Sequence, residues 1–176
     1  MFQGCTNLVS SCELPATVLT QYCYYSMFRN CSSLIEAPAL PAMELAYGCY
    51  YSMFNSCIAL TSTPELPATK MAEYCYYSMF NNCTGLVEVT KLPATVLAYG
   101  CYGNMFNHCI SITETPELWA ETLYSGCYEN MFYECSSLKN IFMLAINIEA
   151  NNCLKNFAYG TADTGVFIKN SENLSL

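Results

Sequence analysis

A motif of Met-Phe, two variable residues and Cys returns every 26 residues in this chain, and this repeat most constrains the fold. The motif begins at Met1, Met27, Met53, Met79, Met105 and Met131. Self-similarity at a fixed period of about 20 to 50 residues is typical of repeat architectures, whose units bury their apolar faces against their neighbours. The sequence therefore predicts six stacked units over residues 1–156, none of which folds alone.

Composition excludes several classes of protein. Hydrophobic residues make up 53% of the 176 residues, which is too much for a disordered, charged polymer. The net charge is −8 and the six cations are scattered singly, so nucleic acid is not an expected partner. The longest apolar run, 141–146, is far shorter than the roughly 20 residues of a membrane-spanning helix. We therefore expect no membrane insertion by this chain.

Apolar spacing within each unit predicts a helix. Leu19, Cys23, Met27, Phe28 and Cys31 follow the spacing i, i+4, i+8, i+9 and i+12, which places them on one helix face. Threonine hydroxyls just before this segment are candidate N-caps, because they accept hydrogen bonds from first-turn amides. The candidate caps are Thr17, Thr69 and Thr95.

The rest of each unit predicts a short strand. Its Val, Thr and Ile content favours extended segments that begin near Leu8, Leu34, Leu60 and Leu86. Strands pair about 4.8 Å apart, whereas packed helices need about 8–10 Å. Stacked strand–turn–helix units should therefore bend, with the strands on the concave side.

The units also resemble a known family. Segments 54–60 and 80–86 both follow the pattern Phe-x-x-Cys-x-x-Leu, which is similar to the BspA-like leucine-rich-repeat family of bacterial surface proteins. The resemblance implies an α/β fold, a right-handed leucine-rich-repeat solenoid of six 26-residue strand–turn–helix units. It also implies a cell-surface or secreted location and a role in attachment, with no catalytic residue to carry over.

Both ends of the repeat carry expectations. Residues 157–176 break the pattern and are predicted to form a C-terminal capping segment, with a turn and closing strand over 164–170. The apolar side of the first unit has no matching cap, so upstream residues or another chain are expected to cover it. End-to-end self-association would then depend on Phe2, Leu8 and Leu14.

Twelve of the 13 cysteines form two ladders, and only Cys12 lies outside them. The ladders are Cys5, Cys31, Cys57, Cys83, Cys109 and Cys135, and Cys23, Cys49, Cys75, Cys101, Cys127 and Cys153. Buried free thiols are favoured, because cysteine packs as a small apolar residue. A bridge from Cys23 to Cys31 would cross about 12 Å of helix. Zinc is disfavoured, since no Cys-x-x-Cys pair occurs.

Two recurrent sets of side chains are candidate ligand-binding surfaces. Acidic residues form a predicted concave stripe that would attract a basic partner or calcium, at Glu13, Glu36, Glu65, Glu88, Glu114 and Glu117. Tyrosines form a predicted convex column that would stack on sugars or a partner, at Tyr24, Tyr50, Tyr76, Tyr102 and Tyr128. The alternatives are a solvated strand face for the acids and mutual packing with solvent-facing hydroxyls for the tyrosines.

An enzyme is not expected. His108 is the only histidine, and it occupies a variable slot that holds Asn30, Ser56 and Glu134 in other units. No nucleophile accompanies it in a recurring arrangement, and no cofactor or metal motif is present.

The sequence therefore predicts a non-enzymatic protein-interaction or adhesion module of a bacterial surface or secreted protein. Its expected partner is a protein or glycan of a host or neighbouring cell. The alternative is a structural spacer or assembly block that stacks through its uncapped N-terminal end. No signal peptide is evident in the chain, so the surface location follows from the resemblance alone.

Overall fold

The chain winds in 26-residue coils that stack directly on one another. The structure, a computed structural model, describes residues 1–169. Equivalent rings of neighbouring coils lie face to face, with 5.5 Å between the ring centroids of Phe28 and Phe54 and an interplanar angle of 4°. The Phe54 and Phe80 rings repeat the same 5.5 Å spacing. The predicted 26-residue unit is therefore the structural unit, and its neighbour lies close to 5.5 Å away.

Regular strands are confined to the C-terminal end of the described residues. Strand β1 (Asn140–Met143) pairs in parallel with strand β2 (Val166–Lys169), and Asn140 lies opposite Val166. Elsewhere, strand-like pairing between neighbouring coils is limited to isolated β-bridges, such as that of Ser62 with Glu88. The strands predicted to begin near Leu8, Leu34, Leu60 and Leu86 are therefore not regular strands within residues 1–169.

The segment predicted as a helix is a column of consecutive tight turns. We call it the turn column, and it comprises residues 21–30, 47–56, 73–82, 99–108, 125–134 and 151–160. Every fourth residue has a left-handed backbone, as at Tyr22, Ser26 and Asn30 with φ of 55°, 49° and 62°. Asn, Ser and Gly occupy most of these slots, since Gly and Asn enter this region most readily.

Backbone amides in the turn column alternate between two kinds of partner. The amide of Tyr24 donates to the carbonyl of Cys49 in the next coil at 2.9 Å, and Ser26 donates likewise to Tyr51. The intervening amide of Tyr25 donates within its own coil, to the carbonyl of Tyr22 at 3.1 Å. Half of the amides therefore close turns within their own coil, and half donate to the next coil. Together these bonds satisfy the backbone polar groups of a buried segment.

The predicted α/β leucine-rich-repeat solenoid is wrong, because no residue from 1 to 169 lies in an α-helix. Packed helices need about 8–10 Å between axes, and coils 5.5 Å apart leave no room for one. Thr17, Thr69 and Thr95 are accordingly exposed and cap nothing. The reason for expecting curvature also disappears, since no wide helical side opposes a narrow strand side.

The core is a set of ladders of identical side chains. The rings of Phe28, Phe54, Phe80, Phe106 and Phe132 are all fully buried. A leucine ladder runs through Leu40, Leu66, Leu92 and Leu118, but its last member is Met143 and not Leu144, which follows Leu118 by 26 residues in the sequence. Leu118 pairs with Met143, because the sixth unit is locally one residue shorter, and Leu144 is only half-buried.

Cysteines of the first ladder are hydrogen-bonded core thiols. The Sγ of Cys57 donates to the carbonyl of Phe28 at 3.1 Å, and Cys83 and Cys109 repeat this contact one coil at a time. All 13 cysteines are free, and ten of them are buried. This agrees with the predicted buried thiols at every ladder position except Cys5 and Cys23, which are exposed in the first coil.

Thiol alkylation of the native protein is expected to modify Cys5, Cys12 and Cys23 quickly. The ten buried cysteines should react only after unfolding, because the reagent cannot reach their thiolates. Intact-mass spectrometry after native and denatured labelling separates the two groups without a reductant. Rapid native labelling of more than these three residues would contradict the buried ladders.

The C-terminal segment closes the last coil. The amide of Val166 donates to the carbonyl of Lys139 at 2.8 Å, which starts the pairing of β2 with β1. Strand β2 lies inside the predicted turn and closing strand at 164–170, of which Asn170 is outside the described residues. The turn column itself continues through Gly160, past the boundary expected at 156, and Phe157 packs edge-on against Phe132. Residues 170–176 of the expected capping segment are likewise outside the described range.

Candidate binding surface

The six acidic candidates are all exposed, and the structure brings four of them together in two pairs, whereas Glu65 and Glu117 belong to neither pair. Glu13 and Glu36 border one depression, with a volume of about 150 Å³. Glu88 and Glu114 border a second one of about 410 Å³. Each pair meets because its two members come from adjacent coils.

Other residues interrupt the acidic stripe. Ser62 occupies the slot that holds Glu36 and Glu88 in the coils on either side. In the second acidic slot, Lys91 lies between Glu65 and Glu117 in the order of the coils. The acids therefore form separate patches of modest charge and not one continuous negative surface.

The predicted tyrosine column belongs to the core. Tyr50, Tyr76, Tyr102 and Tyr128 are each 1% exposed, and Tyr24 in the first coil is half-buried. Their rings stack on one another, with centroids 5.7 Å apart between Tyr50 and Tyr76. A macromolecule at the surface cannot reach these four rings. This burial corrects the predicted convex binding column, and the tyrosines act as structural ladder residues.

A different set of tyrosines forms an aromatic patch at the surface, in which Tyr22 and Tyr99 are exposed and Tyr47 and Tyr74 are half-buried. Tyr22, Tyr47, Tyr74 and Tyr99 follow one another along four coils, one ring in each coil. Neighbouring rings meet edge to face, with centroids 5.3, 5.7 and 5.2 Å apart and interplanar angles of 77°, 67° and 77°. We call this set the zigzag row, because its rings alternate between two adjacent positions of the coil.

A second row runs beside the first. Tyr25, Tyr51 and Tyr77 stack nearly parallel, with centroids 5.2 and 4.9 Å apart, and we call them the stacked row. The two rows touch edge to face, with ring centroids 5.7 Å apart for Tyr22 and Tyr25 and 5.5 Å apart for Tyr74 and Tyr77. Between these contacts lies a shallow depression of about 340 Å³, which we call the tyrosine groove; its lining is Tyr22, Tyr47, Tyr51, Tyr74 and Tyr77.

Glycines explain how the zigzag row fits a 5.5 Å stack. A Cβ on Gly48 would lie 2.6 Å from Cε1 of Tyr22, and one on Gly100 would lie 2.7 Å from Cε1 of Tyr74. Both glycines have positive φ, at 55° and 58°. Each tyrosine ring therefore lies over the bare backbone of the following coil, and that coil carries its own tyrosine one position earlier.

Two groove tyrosines have an unusual backbone. Tyr22 and Tyr74 have φ of 55° and 54°, in a slot where the later coils hold Gly100, Gly126 and Asn152. A left-handed conformation costs a residue other than glycine on the order of 1–3 kcal/mol, and such residues concentrate at functional sites. The same conformation recurs at every fourth position of the turn column, including His108 and Glu134, so it belongs to the coil and does not mark these tyrosines as a site.

Four of the tyrosines that line the groove have a raised pKa. The hydroxyl of Tyr22, followed by partial burial, raises the pKa of Tyr47. Burial, followed by the hydroxyl of Tyr99, raises the pKa of Tyr74. Burial also raises the pKa of Tyr51 and Tyr77. These phenols are therefore protonated at physiological pH and can donate hydrogen bonds to a ligand.

Acidic side chains flank the groove without lining it. Glu73 lies close enough to contribute to the raised pKa of Tyr47, and Glu129 does the same for Tyr77. Glu129 also pairs with Lys155 at 2.9 Å. The amide nitrogen of Asn104 donates to the hydroxyl of Tyr77 at 2.8 Å, which fixes this ring. The surroundings of the groove are thus polar and weakly negative.

His108 lies away from this surface and is engaged on both ring nitrogens. Its Nδ1 contacts Oδ1 of Asn107, and its Nε2 lies 2.7 Å from Oε2 of Glu134 in the next coil. The histidine therefore links two coils, as Asn82 does through its contact with Ser56.

The zigzag row left a signal in the sequence. Tyr-Gly pairs at 47–48 and 99–100 alternate with Gln-Tyr at 21–22 and Glu-Tyr at 73–74. An alternation over two repeats is invisible when each slot is read separately, because each slot then holds tyrosine in only two of the six coils. The stacked row was visible as Tyr25, Tyr51 and Tyr77, but its neighbour across the groove was not.

Comparison with known proteins assigns no relative to this arrangement: no protein-family model, no curated protein and no solved structure matches the chain. Over residues 1–169, no three His, Cys, Asp or Glu side chains are grouped so as to hold a metal ion. No helix of those residues is long and apolar enough to cross a membrane.

Proposed function

We propose that this chain is a non-enzymatic recognition module that binds a macromolecular partner, a protein or glycan of a host or neighbouring cell, through its repeat surface. The observation that carries the proposal is the surface patch of seven tyrosines in two rows over four coils, three of them exposed and four half-buried. Tyrosine is enriched in binding hot spots, because its ring supplies a large contact area with few rotatable bonds.

Exposure of these rings supports the proposal. Tyr22, Tyr25 and Tyr99 are 47%, 50% and 48% exposed, although large aromatic side chains are usually buried in a core. Contiguous exposed apolar surface of this kind marks interaction sites in many proteins. The proposed location, at the bacterial cell surface or secreted, rests on the resemblance of the Phe-x-x-Cys-x-x-Leu units to the BspA-like family.

Saturable binding to a panel of immobilised matrix proteins, mucins and glycans is the expected result. A Tyr51→Ser/Tyr77→Ser double variant should lose about tenfold or more in affinity for the bound panel member, since hot-spot tyrosines contribute most of the binding energy. The same slot holds Gly103, Glu129 and Lys155 in later coils, so the stack tolerates loss of the ring. Surface plasmon resonance measures the change.

Two further variants locate the site. Tyr124→Ser is the matched control, because Tyr124 is 49% exposed and lies outside both rows. Its affinity should equal that of the unmodified chain. A Glu36→Gln/Glu88→Gln/Glu114→Gln variant tests the acidic patches. If this variant alone loses affinity for the bound panel member, the binding site lies at the acidic patches. Absence of saturable binding throughout the panel would contradict recognition and favour a structural spacer or assembly block.

A further inference from the structure

We propose that the tyrosine groove binds a quaternary ammonium group of the choline type. The inference rests on the proposed function and names the chemical group that a partner would present to the same surface. Aromatic rings bind such a group because the negative face of the ring attracts the cation. The cation itself has no N–H group that would need a hydrogen-bond partner.

Six tyrosines form a closed circuit of ring contacts around the groove. The circuit runs through three consecutive coils, in the order Tyr22, Tyr47, Tyr74, Tyr77, Tyr51 and Tyr25. The contact of Tyr22 with Tyr25 closes it at one end, and that of Tyr74 with Tyr77 closes it at the other. Because both ends are closed along the stack, the groove admits a compact group and not an extended chain.

The middle coil leaves room inside this circuit. Gly48 lies between Tyr47 and Tyr51, in a slot that holds tyrosine in the coils on either side. The ring of Tyr22 lies over the Gly48 backbone and forms part of the lining. The depression of about 340 Å³ is at the small end of the range for ligand sites. A trimethylammonium group can therefore enter it while the rest of the ligand stays in solvent.

The orientation of the rings suits a compact cation. Tyr47 meets Tyr22 at 77° and Tyr74 at 67°, and Tyr74 meets Tyr77 at 70°. Rings at such angles present their faces in different directions, so they can contact a rounded group from several sides. Stacking on the flat face of a sugar would instead need aromatic rings that lie in one plane.

Charge also favours a quaternary cation. All five lining side chains are tyrosines, and burial raises the pKa of Tyr51 and Tyr77, so these rings are neutral phenols. Glu73 is exposed and lies near Tyr47, which favours a cation over an anion. A primary ammonium group would bring three N–H donors that lose water on entry, and phenol oxygens are the only side-chain acceptors in the lining. A quaternary ammonium group avoids this cost.

The test titrates the full chain with choline and follows the choline methyl signal by proton nuclear magnetic resonance. Ring currents of the tyrosines should move this signal upfield, and the shift should saturate. The matched ligand is the neutral analogue of choline in which carbon replaces the charged nitrogen. Choline is expected to bind about tenfold or more tightly than this analogue, because only the cation is attracted to the ring faces.

Variants of the circuit locate the site. Tyr47→Gln removes a ring from the middle coil, and the stack tolerates the change because the same slot holds Gln21 in the first coil. This variant and Tyr51→Ser/Tyr77→Ser should each weaken choline binding about fivefold or more, whereas Tyr47→Phe keeps the ring and should stay within about twofold. Tyr124→Ser, outside the circuit, should leave binding unchanged. Urea unfolding verifies that each variant is folded.

The same ammonium group occurs in free choline and in phosphocholine esters carried by larger molecules. A second titration with phosphocholine separates these two sources. Binding at least as tight as that of choline would indicate an ester on the partner, and weaker binding would indicate free choline. Either result supports the assignment if Tyr47→Gln weakens it.

Three results would overturn the inference. The first is equal affinity for choline and its neutral analogue, which would reduce the interaction to apolar contact. The second is choline binding that neither Tyr47→Gln nor the double variant weakens. The third is the absence of a saturable shift for both choline and phosphocholine, even if a trimethyl-lysine peptide binds. If panel binding still depends on Tyr51 and Tyr77 while choline neither binds nor competes, only this inference falls and the proposed function stands.

Discussion

Alkaline pH is expected to unfold this protein cooperatively between about pH 9.5 and 10.5, because many thiols are buried in the neutral form. Burial raises the pKa of Cys49, Cys57, Cys127 and Cys135 to about 12. Burial also places the pKa of four more ladder thiols well above the ordinary value, at Cys75, Cys83, Cys101 and Cys109. The unfolded chain ionises these thiols near pH 8.5.

The direction and size of the effect follow from proton linkage. A folded-state pKa above the unfolded value gives stability that is complete below the unfolded pKa and is lost as pH rises towards the folded one. In that window each such thiol lowers the free energy of unfolding by about 1.4 kcal/mol per pH unit. The eight thiols together lower it by about 11 kcal/mol per pH unit. A domain with a typical free energy of unfolding, about 5–15 kcal/mol, therefore unfolds within little more than one pH unit of that window.

Urea unfolding from pH 7 to 11 under reducing conditions, followed by near-ultraviolet circular dichroism, measures this dependence. Cys83→Ala should reduce the slope of unfolding free energy against pH by about 1.4 kcal/mol per pH unit, since one buried thiol is removed. Cys12→Ala is the control, because Cys12 is exposed and should leave the slope unchanged. A flat stability profile up to pH 10.5 would show that these thiols are not buried.

Replacing Phe80 with alanine is expected to cost about 3–5 kcal/mol of stability, the largest effect of any single side chain discussed for this fold. Phe80 is fully buried between Phe54 and Phe106, with ring centroids 5.5 and 5.7 Å away and nearly parallel planes. The amides of Phe54 and Phe80 donate to the carbonyls of Met79 and Met105 in the following coils. These bonds keep the backbone from collapsing into the cavity that the alanine leaves.

Phe2→Ala is the matched control for this ladder. Phe2 is half-buried in the first coil and stacks on one ring only, that of Phe28 at 5.5 Å. Its loss should therefore cost about 1–2 kcal/mol. The urea midpoint is the appropriate measure, because stacked repeats do not always unfold in two states. Equal midpoints for the Phe80 and Phe2 variants would show that the central ring gains nothing from having two neighbours.

Much of the core was predictable from the repeat. Any fold in which identical 26-residue units stack in register brings Phe28 next to Phe54 and Cys57 next to Cys83, whatever the local backbone conformation. These neighbour relations follow from that register alone, whereas the burial of the phenylalanines and thiols follows from their apolar character. The sixth unit departs from it, since a one-residue local shift that puts Met143 in place of Leu144 depends on where the coil can absorb the change.

Secondary structure was not predictable in the same way, because the apolar period of an α-helix is close to the four-residue period of the turn column. Buried residues come in pairs every four positions, as at Cys49 and Tyr50, then Met53 and Phe54, then Cys57. A helix drifts from a period of four, with its apolar face at i, i+3, i+4 and i+7. The strict period of four instead reflects a left-handed residue in every fourth position of the turn column.

The sequence by itself determined the unit length, the ladders and the residues that fill them, since these depend only on the repeat. Tertiary structure alone decided the spacing of the coils, because half of the turn-column amides bond to the next coil and draw it to about 5.5 Å, too close for helices. The tertiary structure also decided which tyrosines face inward, because the turns place the ring of Tyr50 in the core and leave that of Tyr22 outside, over the bare backbone of Gly48.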